Sequence, residues 1–168
     1  MRFSSLAIPA ALAAVSMSTS LQGQRPDDQI DARSMALLAE GRAARAAGNL
    51  DRATDALESA VAVDPRNRAA FVALGDVADA RDLPGKAIRL YREALLLEPN
   101  DLSALQGQGE ALVKKGAVSL ARANLARIRE LCKTTCAPAT TLAAVIAKGP
   151  PPVTTAQADT AAATTKPE

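Results

Sequence analysis

From Ser34 to Leu131 the apolar residues return every three or four positions, the spacing that puts them on one face of an α-helix. Short breaks divide this stretch into pieces of about fourteen residues, and the pieces come in pairs. The spacing predicts helices over 34–47 and 50–63, then 68–81 and 84–97, then 102–115 and 117–131. Gly48 and Asn49 make the first turn, and Asp64-Pro65 stops the second helix. The stop is physical: proline has no N–H for a helix interior and pushes the residue before it out of the α region. Pro84, by contrast, suits the first turn of the helix it opens. A further apolar group, Leu142, Ala143, Val145 and Ile146, predicts one more short helix that ends at Gly149.

The pairs repeat. Gly41, Gly75 and Gly109 stand 34 residues apart, as do Ala53, Ala87 and Ala121, then Leu37, Phe71 and Leu105, and also Leu57, Tyr91 and Leu125. Pro65 and Pro99 close the matching phrases VAVDPRN and LLLEPND. Each unit is therefore a helical hairpin whose bare apolar face must be buried on its neighbours, which predicts an all-α, right-handed solenoid with a concave and a convex side. The small residues have a packing role, since Gly41 facing Ala53 would let two helix axes approach closely.

These residues resemble the tetratricopeptide repeat family over 34–131. Leu37, Gly41, Ala53, Leu57, Ala60 and Pro65 carry the pattern in the first unit, and Phe71, Leu74, Gly75, Ala87, Tyr91, Ala94 and Pro99 carry it in the second. The third matches at Leu105, Gly109, Leu112, Ala121 and Leu125, but Ile128 replaces an alanine and Lys133 stands in place of proline. Glu40 and Gln108 replace the apolar residue that Leu74 supplies in the middle unit. The organisation that follows is repeat 1 over 34–67, repeat 2 over 68–101, a degenerate repeat 3 over 102–133, and a capping helix within 134–149 that lies on the helix of 117–131. The resemblance also implies a partner-binding concave surface lined by the first helix of each hairpin. By matched position this surface is Leu38, Arg42 and Arg45, then Val72, Asp76 and Asp79, then Gln106, Glu110, Val113 and Lys114.

Composition narrows the chemistry. The only aromatic residues are Phe3, Phe71 and Tyr91, and alanine dominates the apolar fraction, as closely packed helices require. Histidine is absent, which excludes histidine-dependent catalysis, imidazole metal ligands and the ordinary physiological-pH switch. The formal net charge is only +2, without a basic stripe, so nucleic acid is not an expected partner. No glycine-rich phosphate loop or nucleophile with its base stands out, and Asp76 and Asp79 read as surface charge rather than an acid/base pair. The expectation is a non-enzyme without cofactor or metal.

The ends differ from the middle. Residues 1–20 carry Arg2, an apolar run from Leu6 to Val15 and then small residues, which reads as a secretory signal peptide. That run is too short to anchor in a membrane, which needs about 20 apolar residues. Residues 21–33 form a polar lead-in, and 150–168, rich in proline, threonine and alanine, predict a disordered tail. Export makes a disulfide the leading reading of Cys132 and Cys136, the only cysteines, at the junction of the third hairpin and the cap. A loop this short contributes about 2 kcal/mol in the chain-entropy treatment. A redox-active pair, a zinc site and free thiols are weaker readings, because three residues separate the thiols and no histidine completes a metal site. The sequence thus predicts a monomeric periplasmic or secreted adaptor for a peptide or protein, with a self-associating envelope subunit or a thiol-exchange factor as alternatives.

Overall fold

The computed structural model describes residues 29–152, so the signal segment at 1–20, most of the lead-in and all but the first residues of the tail lie outside the described residues. The described chain is helical, in the order α1 (Ala32–Ala46), α2 (Leu50–Val63), α3 (Arg68–Ala80), α4 (Pro84–Leu97), α5 (Leu102–Lys114), α6 (Val118–Cys132) and α7 (Ala137–Lys148). Consecutive helices pair as hairpins, and α1, α3, α5 and α7 also touch in succession along one side. The result is a short α-solenoid of three hairpins with α7 closing its end.

Local chemistry sets the boundaries. The side chains of Asp31, Asn49, Asn67 and Asp101 each accept a backbone N–H in the first turn of the helix that follows, and α4 opens on Pro84 instead. The Asp31 cap starts α1 two residues earlier than the apolar spacing predicts. Ahead of Pro65 and Pro99, Asp64 (φ −142°) and Glu98 (φ −141°) turn to extended backbone and end α2 and α4. With no such proline, α6 runs on to Cys132 and is closed by Lys133 in the left-handed region, at φ 56°.

The repeated small residues are the places where helices meet. Ala53, Ala60, Ala87, Ala94 and Ala121 are all fully buried. At Gly41 an added Cβ would stand 2.5 Å from Leu57 Cγ, with the Ala53 carbonyl oxygen at 3.2 Å. The glycine thus makes room chiefly for Leu57, one turn beyond the alanine that the sequence pairs with it. Gly75 makes the same room for Tyr91. Gly109 departs from this pattern, since Leu142 from α7 fills the space beside it.

Departures from the repeat pattern are matched by partners. Glu40 accepts from Arg52 of the same hairpin at 2.8 Å, and Asn124 Nδ2 donates to Gln108 Oε1 at 3.0 Å and to the Leu105 carbonyl at 3.1 Å. Ile128 is fully buried in one cluster with Leu105, Leu125, Ala139 and Leu142. The cap thus packs on α5 as well as on α6, whereas the sequence reading placed it on α6 alone. Its span, 137–148, falls one further period after α5, so α7 takes the place of the first helix of a fourth hairpin, and three prolines follow it at 150–152. Cys132 and Cys136 lie at disulfide distance across the α6–α7 turn, with Cα atoms 6.2 Å apart.

Candidate interaction groove

Along the concave side, α1, α3 and α5 enclose a groove of about 430 Å³. Arg42, Arg45, Val72, Asp76, Asp79, Gln106 and Glu110 line it, and all seven are residues that the matched repeat positions nominate. Lys114 stands beside it, its Nζ donating to both carboxylate oxygens of Asp79 at 2.8 Å.

Two nominated residues do not belong to the groove. Leu38 is 2 % exposed and packs in one cluster with Ala70, Ala73, Leu74 and Val77 of α3. Val113 is 1 % exposed, and Val145 and Ile146 of α7 pack against its cluster. Both side chains sit in the seam with the next first helix, where burial of an apolar group is favourable; a groove would leave it in water.

Three lining residues escape the sequence reading: Tyr91, Ser103 and Gly107. Tyr91 belongs to α4, a second helix, and its position alternates with leucine in the other units. A hydroxyl at such a core position needs a hydrogen-bond partner, and that need was the available signal. The Tyr91 hydroxyl donates to Asp76 Oδ1 at 2.8 Å, and Arg45 pairs with Asp76 Oδ2 at 3.1 Å. Asp76 thereby ties α1, α3 and α4 together. Burial, and then the negative charge of Asp76, push the Tyr91 phenol well above its ordinary pKa, so it stays protonated and donates. Gly107 is bare because a Cβ there would overlap the Tyr91 ring. In the same groove, Gln106 Nε2 donates to Glu110 Oε1 at 2.8 Å.

The groove therefore combines paired and unpaired charges around the apolar Val72, with the buried Tyr91 reaching it by its hydroxyl. Among the described residues no group of three or more cysteine or acidic side chains is placed to hold a metal ion, and no helix is long and apolar enough to cross a membrane.

No family model matches the sequence, and no curated protein sequence matches it. Solved structures do match by shape. The first tetratricopeptide domain of Spaghetti (RPAP3), bound to the HSP90 peptide SRMEEVD, aligns at a TM-score of 0.64 with 19% identity, over 69% of this chain and 91% of that one. The Yersinia enterocolitica type III secretion translocator chaperone SycD aligns at 0.63 with 18% identity, over 70% of this chain and 95% of that one. The O-GlcNAc transferase of Thermobaculum terrenum aligns at 0.62 with 25% identity, over 68% of this chain but only 22% of the transferase. The class defined by the fold and groove is the helical-repeat solenoid. Within it, the 34-residue period and these neighbours give the chain the fold of a tetratricopeptide-repeat domain.

Proposed function

We infer that this protein is a non-catalytic adaptor of the bacterial cell envelope that holds an extended peptide or protein segment in its concave groove. The observation that carries this reading is the groove itself, built from three successive first helices and lined by polar side chains around Val72. Two neighbours of the same fold support it: one was solved with a peptide bound, and another is named as a chaperone. Three of the groove's ionisable groups are poor reagents. Asp76 and Asp79 are engaged with Arg45 and Lys114, and Tyr91 keeps its proton, so none is poised as a base or nucleophile at neutral pH. Three repeats offer a modest contact area, which suits transient binding.

Export and an envelope location rest on the signal-like residues 1–20 and on the paired cysteines. Cell fractionation with N-terminal sequencing of the recovered chain tests both; an intact Met1 on a cytoplasmic chain would remove the envelope from the reading. Binding is tested by a photo-crosslinking residue placed in vivo at Ser103, inside the groove, or at Leu120, an exposed residue of α6 outside it. An adduct with a second protein at Ser103, and not at Leu120, is expected. Adducts confined to Leu120 would discard the groove. A second copy of this chain as the adduct, with a dimer in sedimentation, would replace the monomeric adaptor by a self-associating subunit.

A further inference from the structure

The sequence suggests cations on the first repeat, carboxylates on the second and both signs on the third. A ligand meets something different, because the pairs cancel. Arg45 is engaged by Asp76 at 3.1 Å, and Lys114 is held by both oxygens of Asp79 at 2.8 Å. Opposite charges in contact present only a weak net field to a third charge.

Two groove charges are left over. Arg42 is exposed and makes no ion pair among the described residues. Glu110 accepts from the neutral Gln106 amide, which leaves its negative charge uncompensated. Arg42, Asp76 and Glu110 are the same position in three successive units, 34 residues apart, so they form one row across α1, α3 and α5. The row reads positive, neutralised, negative, with the apolar Val72 beside its middle.

On the groove reading given above, we propose that the ligand is a dipolar extended peptide. A carboxylate side chain lies against Arg42, a cationic side chain lies against Glu110, and an apolar residue between them rests on Val72. The span follows from the helices. Neighbouring axes lie about 8–10 Å apart, so α1 and α5 are separated by roughly 16–20 Å. An extended chain gains about 3.3–3.6 Å per residue, so the acidic and basic residues are about five or six positions apart. Arg42 and Glu110 set the preferred charges, while Asp76 and Asp79 hold the helices together beneath the ligand.

The test is selection from a displayed library of random peptides of about twelve residues, long enough to cover the row with flanks. It uses the full chain, with Arg42→Glu and Glu110→Lys in parallel and their folding checked by circular dichroism. The wild type should enrich peptides with one acidic and one basic residue at the stated spacing. Arg42→Glu should enrich peptides with basic residues at both places, and Glu110→Lys peptides with acidic residues at both. Synthetic versions should bind the matched protein at least about tenfold tighter than a mismatched one. A fourth protein, Ser103→Trp, fills the groove without touching the core. Peptides that lose binding to Ser103→Trp but show the same charges on the other three proteins would overturn the dipolar ligand and leave the groove reading standing. Peptides that bind Ser103→Trp as well as the wild type, or no enrichment at all, would remove the groove reading and this proposal together.

Discussion

Gly48, Asp82 and Gly116 hold the same place in three hairpins, 34 residues apart, and all three have positive φ: 78°, 55° and 76°. The turn needs a left-handed residue, and only in the middle hairpin does a side chain bear that strain. Asp82→Gly is therefore expected to stabilise the protein by about 0.5–1 kcal/mol, read as a rise of a few degrees in the thermal midpoint. An unchanged or lower midpoint would show that the Asp82 side chain repays its conformation. The opposite sign is expected at Gly41, where an added methyl would meet Leu57 at 2.5 Å. Gly41→Ala should cost about 1–3 kcal/mol in denaturant unfolding, as overpacking of a tight contact does. The residue scale also shows what the sequence reveals of the groove and what it hides. Charged positions such as Arg42, Asp76 and Glu110 are legible because a repeat position fixes their face and their charge keeps them in water. Leu38 and Val113 occupy comparable places, yet an apolar side chain turns into whichever seam will bury it, and that depends on the neighbouring helix. Tyr91 hides for the converse reason: its ring is core, and only its hydroxyl reaches the groove.

Among the elements, the hairpins are legible because proline, glycine and the N-cap residues mark their ends within a residue or two. The cap is less so, since its partners come from two helices and its own apolar pattern is short. Leu142 on α7 is fully buried against Gly109 and Ile128. Leu142→Ala should cost about 2–5 kcal/mol, at or above the roughly 2 kcal/mol expected from reducing the Cys132–Cys136 pair. Chemical unfolding of the variant, and of the wild type with and without reductant, checks the order; a larger loss on reduction would make the cysteines, and not the packing of α7, the main fastening. The junction of α2 and α3 carries a pH signature. Hydrogen bonds from the Arg66 side chain and from the Asp31 N–H, at 2.9 Å, hold the Asp64 carboxyl at a pKa of about 2, against an ordinary 3.8. A lowered pKa stabilises the fold while the group is ionised, so this contribution is present above about pH 4 and is lost as the pH falls through 2. Thermal midpoints of Asp64→Asn should thus fall less steeply than the wild type's across that window, and parallel curves would refute the assignment.

Across the whole molecule, each helix touches only its neighbours in the stack, so stability is close to a sum of hairpin and interface contributions. Damage should stay local. In hydrogen exchange, Gly41→Ala is expected to loosen α1 and α2 and Leu142→Ala to loosen α5 to α7, each with little effect at the far end; a uniform loss of protection in either variant would mean that the solenoid unfolds as a single unit. The equal spacing of the units has one more consequence. A structure that repeats by translation has no privileged length. A duplicate of residues 68–101 inserted after Asp101 would arrive with its own Asp76–Tyr91 tie, its own alanine seams and its own terminal proline. Such a chain would extend the row of groove charges by one helix spacing, about 8–10 Å. Reach would then be adjustable by counting units, while the end pieces that close the stack remain as they are.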